Sequence, residues 1–290
     1  GPLNIIGVGS CPSRGLRKGV VVNIESTVES IKKAVEEAEL MAAVQINSVY
    51  TGIAGSHISG ENLKGVVALK KQEVTREDIS RAVESARTLA VIPHERRILH
   101  VIPREFMVDD QEGVRDPLGM SGNRLEVNVH VITGAVTSAQ NIIKSVNRAG
   151  LDVVDIILQP LASSEAVLSA EERELGVAMV DLGGGTTDLA IFLDGSIRHT
   201  AVLPIGGQNL TKDLAIGLLT SQTDAEKIKV QHGIARTELV HGHQMVEVPS
   251  VGDRPPRQFT RRDIAEILEP RVEEMFDLVK REIVRAGYEG

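Results

Sequence analysis

The densest run of residues able to do chemistry is Asp181-Leu182-Gly183-Gly184-Gly185-Thr186-Thr187-Asp188. Three successive glycines present backbone N–H groups with no side chain in front of them, so a phosphate can come close. Thr186 and Thr187 add hydroxyls. Asp181 is placed to hold the water shell of a magnesium ion, which keeps several waters and takes one or two carboxylates. A tight glycine hairpin that binds nothing would have the same glycines, so the flanks must separate the two. Apolar runs Gly176–Leu182, Leu189–Leu193 and Ile197–Leu203 surround the loop, and Asp194-Gly195 joins the last two. Asp-Gly suits a type I′ turn, where both central residues need φ > 0. The expectation is a three-stranded antiparallel meander with the glycine loop at its first turn. Neither G-x-x-x-x-G-K-[ST] nor a helix-opening G-x-G-x-x-G occurs, so this is no Walker or Rossmann loop. The Asp-x-Gly-Gly-Gly-Thr-x-Asp pattern thus lies between strands and is followed by a second Asp-Gly turn.

The elements that must position this loop read as follows. Leu3–Gly9 is an expected strand, Cys11–Gly19 a loop, Ile24–Met41 a helix and Ile46–Ala54 a strand, together a βαβ unit. The pattern then changes. Gly55–Ile132 reads as an inserted small α+β subdomain: a short β run Val66–Leu69 and a helix from Thr75 to Leu89, with Thr75 and Asp78 in capping-box spacing. Strands Arg97–Pro103, Glu105–Val108 and Leu125–Ile132 follow, with a polar loop Asp109–Asn123. The earlier style returns with a helix Thr137–Ala149 capped by Gly150, a strand Val153–Leu158, and a helix from Gln159 to Ser169 with Pro160 in its first turn. After the meander come helices Asn209–Leu219 and Asp224–His232, a strand Val246–Val248, a loop Gly252–Arg257 and a helix Thr260–Ala286. That last helix puts Ile264, Leu268, Val272, Met275, Val279 and Ile283 on one face.

Composition narrows the classes. The 290 residues allow about two domains, and the net charge of −8 carries no basic block, which argues against nucleic acid. One cysteine, Cys11, excludes an intrachain disulfide and fits a reducing compartment. No apolar run reaches the length of a membrane span, and no signal peptide is read. His241 and His243 form an H-x-H without further ligands at usable spacing, and read as solvated loop histidines. The Gly1-Pro2 start reads as an expression scar or the cut end of a longer gene product.

The element order and many segments resemble the FtsA family of actin-like bacterial cell division proteins. They include NIIGVGSCPSRGLRKGVVVNIESTVESI, ILHVIPREF, ERELGVAMVDLGGGTTDLA, IRHTAVLPIGGQNLTKDLA, DAEKIKVQHG and VEVPSVGDRPPR, and they run from Asn4 to Arg271. The resemblance implies an α/β actin-like ATPase fold, two halves around a nucleotide cleft, with the inserted α+β subdomain. Residues 1–54 and 133–172 would be subdomain 1A and 55–132 the family's own 1C. Residues 173–210 would be an incomplete 2A, and 211–290 would hold 2B and the long return helix.

It further implies ATP and Mg2+ as ligands, with Asp181 near the metal and Gly183, Gly184, Gly185, Thr186 and Thr187 around the phosphates. Gly206 and Gly207 open a helix, where free N–H groups favour phosphate. Glu226 and Lys229, three apart on one helix face, would contact ribose and base; alone they read equally as an intrahelical salt bridge. Gln159 stands where relatives orient the attacking water, although that position looks permissive in the family. Arg257, Arg261 and Arg271 are candidates for the acidic C-terminal tail of FtsZ, since arginine forks suit carboxylates. Self-association into protofilaments, later divisome partners through 55–132 and the cytoplasmic face of the inner membrane at the division site complete the implied picture. Membrane contact would come through a C-terminal helix beyond this chain. A first phosphate loop would lie upstream of Asn4, so weak or no ATP binding and at most a slow ATPase are expected of these residues alone. A sugar or acetate kinase of the same superfamily would need a carboxylate base for a substrate hydroxyl, and none has a distinctive setting. A chaperone-like ATPase would need a separate peptide-binding domain, and a pilus-assembly adaptor would lack segments such as SVGDRPPR.

Overall fold

The computed structural model describes residues 4–252 and 254–288. The chain packs into two compact units: one takes the chain up to Asp181 and again Asp188–Val202, the other Leu182–Thr187 and the chain from Leu203.

The first unit opens with a ribbon, β1 (Leu16–Arg17) and β2 (Val20–Val21), turned by Lys18 and Gly19, both at positive φ. Helix α1 (Ile24–Ala42) starts at Asn23, whose Oδ1 accepts from the Ser26 N–H at 3.0 Å. The expected strand over Leu3–Gly9 does not form (Leu3 itself lies outside the described residues, as does Gly1-Pro2). Residues 4–9 instead run along α1: Val8 N–H donates to Met41 Sδ at 3.3 Å and Ser10 N–H to Glu37 Oε2 at 2.7 Å. Gly9 is needed there, because a Cβ would fall 1.8 Å from the Ala34 carbonyl oxygen. An apolar run becomes a strand only beside a hydrogen-bonding neighbour; among the described residues no strand pairs with residues 4–9, and the βαβ unit lacks its first strand.

Strand β3 (Ser48–Ile53) pairs in parallel with a later strand, and between them lies the insertion. It holds β4 (Ser59–Ala68), α2 (Arg76–Leu89), β5 (Arg96–Val108), β6 (Gln111–Val114) and β7 (Arg124–Ala135), in a sheet of order β4-β7-β5-β6. Thr75 and Asp78 make the expected capping box. Gly65 lets β4 meet α2: a Cβ would stand 2.1 Å from the Ala82 carbonyl. Val74, Ala82, Ala86, Leu125, Val127 and Val129 form its core. Four readings change. β4 is longer than Val66–Leu69, paired along its length with β7. Arg97–Pro103 and Glu105–Val108 are one strand whose register shifts between Pro103 and Glu105, a bulge that accommodates the proline's missing N–H. β6 lies inside the expected loop Asp109–Asn123, and β7 runs past Ile132 to Ala135.

Helix α3 (Val136–Arg148) ends before Gly150, at positive φ, and leads to β8 (Asp152–Leu158), the partner of β3. Ile53, Ile132, Ile142, Val146, Ile156 and Leu158 bury together. The single helix expected from Gln159 to Ser169 is two: α4 (Gln159–Val167) stops at extended Leu168, and α5 (Ala170–Leu175) starts with its own Ser169–Glu172 capping box. Strands β9 (Val177–Leu182), β10 (Thr187–Leu193) and β11 (Ser196–Leu203) form a sheet of order β11-β10-β9. Asp194 and Gly195 have φ of 53° and 72°, as the type I′ expectation requires.

The second unit contains α6 (Gly207–Gly217), α7 (Gln222–His232), β12 (Met245–Val248), β13 (Arg257–Thr260) and α8 (Arg261–Arg285). Leu214, Leu218, Ala225, Ile228, Val248, Ile264 and Leu268 make its core. β13 was not legible: Arg257 closed an expected loop, Gln258 and Phe259 lay in no expected element and Thr260 opened the expected helix, yet the four form a strand by pairing with β12. Thr260 is the N-cap of α8, its side chain accepting from Asp263 N–H.

Candidate nucleotide-binding loop

The glycine loop of the second unit is closed on itself and stapled to the start of α6. Gly183 N–H donates to the Thr186 carbonyl at 2.9 Å. Gly207 N–H donates to the Gly183 carbonyl at 2.9 Å and Gln208 N–H to the Gly184 carbonyl at 2.7 Å. Gly206 N–H goes to Asn209 Oδ1 at 3.1 Å. The N–H groups at the head of α6 are therefore engaged, and the expectation that Gly206 and Gly207 offer free donors is corrected. The glycines serve close packing instead: a Cβ on Gly206 would lie 2.6 Å from the Gly183 carbonyl oxygen. Thr187 is fully buried, its hydroxyl donating to the Ile205 carbonyl at 2.8 Å. Thr186 is buried too. Among the described residues, the N–H groups of Gly184 and Gly185 donate to no acceptor. Gly184 also has room: a Cβ there would have Gln208 Nε2 as its nearest neighbour, at 3.9 Å.

Glu226 and Lys229 form the ion pair that their spacing allows, 2.8 Å from Nζ to Oε2. The pair also reaches α6. Lys229 Nζ donates to the Thr211 hydroxyl at 2.9 Å and the Gly207 carbonyl at 3.1 Å, and Thr211 donates to Glu226 Oε2. Burial works to raise the Glu226 carboxyl pKa, but the hydrogen bonds from Lys229 and Thr211 outweigh it and hold it below its ordinary value.

In the first unit, half-buried Asp181 accepts from the Ser163 hydroxyl through Oδ2 at 2.6 Å. Ser163 lies one helical turn after Gln159 on α4, so the two share a face. Gln159 is exposed and covers Gly52, where a Cβ would meet Gln159 Cγ at 2.9 Å.

The three candidate arginines, Arg257, Arg261 and Arg271, have internal partners. Arg257 donates to the Leu218 carbonyl and lies over the Phe259 ring, 5.1 Å from its centroid. Arg261 donates to the His232 carbonyl at 3.1 Å and to Gln244 Oε1 at 3.3 Å. Arg271 grips Asp213 with two bonds, 2.6 and 3.2 Å, and also pairs with Glu274. A cavity of about 550 Å³ opens beside Arg257, lined also by Ala215, Leu219, Val251, Arg254 and Pro255. Arg254, which is exposed, half-buried Ser163 and buried Thr211 were not singled out from sequence. Arg254 stands in the conspicuous RPPR stretch; the other two carry no local signal.

A family model described as "SHS2 domain inserted in FTSA" matches residues 55–133, and one described as "Cell division protein FtsA" matches 178–289. The cell division protein FtsA of Pseudomonas aeruginosa is 53% identical over 289 residues, covering 100% of this chain and 69% of the relative. That of Escherichia coli K12 is 49% identical over 285 residues, covering 98% of this chain and 68% of the relative. The chain belongs to the FtsA family. Among solved structures, the PilM-PilN type IV pilus biogenesis complex matches with a TM-score of 0.63 at 17% identity, covering 94% of this chain and 67% of that one. At that identity the match speaks for the fold alone, the actin-like ATPase fold. FtsA membership gives the chain its role in bacterial cell division. Among the described residues no helix is long and apolar enough to cross a membrane.

Proposed function

We propose that this chain is the nucleotide-binding and partner-docking part of an actin-like division scaffold that takes ATP with Mg2+. Gly183, Gly184, Gly185, Thr186 and Thr187 would form the phosphate loop. Gly206 and Gly207 would fix its shape, and Glu226 and Lys229 would stand at the nucleoside end. Asp181, immediately before the loop in the chain and held by Ser163, would take the magnesium water shell, with Gln159 the candidate for orienting water. Magnesium would supply charge neutralisation for the phosphates. The observation that carries the reading is the loop itself: its carbonyls are consumed by α6, while the Gly184 and Gly185 N–H groups remain undonated. Such backbone donors, free of side chains, suit an anion.

The subdomain assignment belongs to the same proposal, with 1–54 and 133–172 as 1A, 55–132 as 1C, 173–210 as 2A and 211–290 as 2B. The FtsZ tail would dock on the second unit at the RPPR face, where Arg254 and Arg257 line the cavity. Arg261 and Arg271 remain candidates; like Arg257, each already holds an internal acceptor. Copies would assemble into protofilaments at the cytoplasmic face of the inner membrane, later division proteins meeting residues 55–132.

The test is Gly184→Ala in the protein at the full length of its relatives. The added methyl has space in the fold but stands in front of the proposed phosphate. Unchanged thermal stability with ATP affinity reduced at least about tenfold, the scale of a lost charge-assisted hydrogen bond, is expected. Unchanged ATP affinity would contradict the loop assignment.

A further inference from the structure

We propose that Thr211 is the positioning residue of the nucleoside end of this site, and that Thr211 and Lys229 both act through the Glu226 carboxylate rather than on the ligand. The inference rests on the ATP reading above. A lysine ammonium has three donors and no acceptor. Lys229 directs its ammonium at three acceptors: the Gly207 carbonyl at 3.1 Å, Thr211 Oγ1 at 2.9 Å and Glu226 Oε2 at 2.8 Å. Its side chain is 20% exposed, against 50% for Glu226. No donor is left for a base or a ribose. Glu226 is differently placed. Its Oε2 accepts from both Lys229 and Thr211, while Oε1 accepts no hydrogen bond among the described residues. An ionised carboxylate oxygen with open lone pairs is the partner that a vicinal diol requires.

Thr211 ties the parts together. It is buried and lies one turn into α6; its single proton goes to Glu226, and Lys229, which donates to both Thr211 Oγ1 and the Gly207 carbonyl, completes the link to the helix start. Gly207 in turn donates to the glycine loop. One hydroxyl therefore fixes the orientation of Glu226 on α7 against the helix start that shapes the loop. Threonine at this position reads from sequence as an ordinary helix residue, which is why its role shows only in the contacts.

The experiment measures Mg-ATP and Mg-2′-deoxy-ATP affinities in the protein at the full length of its relatives. The variants are Thr211→Val, Thr211→Ser, Lys229→Met, Glu226→Ala and the Thr211→Val/Glu226→Ala pair. Thr211→Val is expected to weaken ATP about tenfold, the scale of a hydrogen bond to a charged group, and to reduce the preference for ATP over the deoxy form. Thr211→Ser restores both, which a role in packing the methyl group would not. Lys229→Met matches Thr211→Val, and the double variant is no weaker than Glu226→Ala alone, because all act through one carboxylate. Wild-type affinity in Thr211→Val beside a loss in Glu226→Ala would overturn the proposal and leave the site reading standing. Multiplying losses in the double variant would also overturn it. Wild-type affinity in Glu226→Ala would remove the site reading, and the proposal with it.

Discussion

His130 should make the fold sensitive to mild acid. It sits on β7 in the insertion, 1% exposed. Its Nδ1 is 2.8 Å from Asn62 Oδ1 and its Nε2 2.9 Å from Thr200 Oγ1 on β11. Asn62 donates its side-chain Nδ2–H to the Arg198 carbonyl at 3.1 Å, so its Oδ1 faces the ring. The tautomer follows: Nδ1–H donates to Asn62, and Nε2 accepts from the Thr200 hydroxyl. Burial first, then the positive charges of His199 and Arg104, push the imidazole from 6.5 down to about 4. The folded state thus resists a proton that the unfolded chain takes up near 6.5. Stability is full above the unfolded value and falls as pH drops through it toward the folded value. Between pH 7 and pH 5 the loss from this group is about 2 kcal/mol, and below the folded pKa it approaches about 3 kcal/mol. His57 and His100 act in the same direction. Burial lowers both, and each accepts a backbone N–H, from Ala135 at 3.3 Å and Leu158 at 3.0 Å. The assay is urea denaturation at both pH values, followed by circular dichroism because the chain has no tryptophan. His130→Gln keeps a donor and an acceptor but cannot titrate. It should lose less stability than the wild type on going to pH 5, by about 2 kcal/mol. An identical pH dependence in the two proteins would refute the buried neutral histidine.

Three further outcomes follow from particular contacts. Gly65→Ala places a methyl 2.1 Å from the Ala82 carbonyl and should cost about 1–3 kcal/mol in urea denaturation, because β4 must move off α2. Thr260→Ala removes the α8 cap and should cost about 1 kcal/mol by the same assay. Arg271→Met leaves Asp213 without its two-pronged partner and should lower the unfolding midpoint, with Arg271→Met/Asp213→Leu recovering part of the loss.

What was readable in the sequence was what neighbours along the chain decide. The Asp194-Gly195 turn, the Thr75–Asp78 capping box and the shared face of Glu226 and Lys229 are all set within four residues, and all stand as expected. The apolar runs around the glycine loop likewise place β9, β10 and β11. What escaped depends on distant partners. Residues 4–9 look like a strand, but strand formation needs a neighbour, and among the described residues no strand lies beside them. β13 exists only because β12 lies beside it. The glycines at 206 and 207 advertise an anion site by composition, yet their N–H groups face Gly183 and Asn209. Thr211, Ser163 and His130 have side chains whose deciding partners, Glu226, Asp181 and Thr200, lie 15 to 70 positions away.

Amide hydrogen exchange with and without Mg-ATP, on the protein at the full length of its relatives, addresses the loop directly. Gly207 and Gln208, already bonded to loop carbonyls, should be protected without nucleotide. Gly184 and Gly185 should exchange freely until Mg-ATP is added and then slow sharply. Protection of Gly184 and Gly185 before nucleotide, or none after it at saturating Mg-ATP, would contradict the phosphate-loop reading.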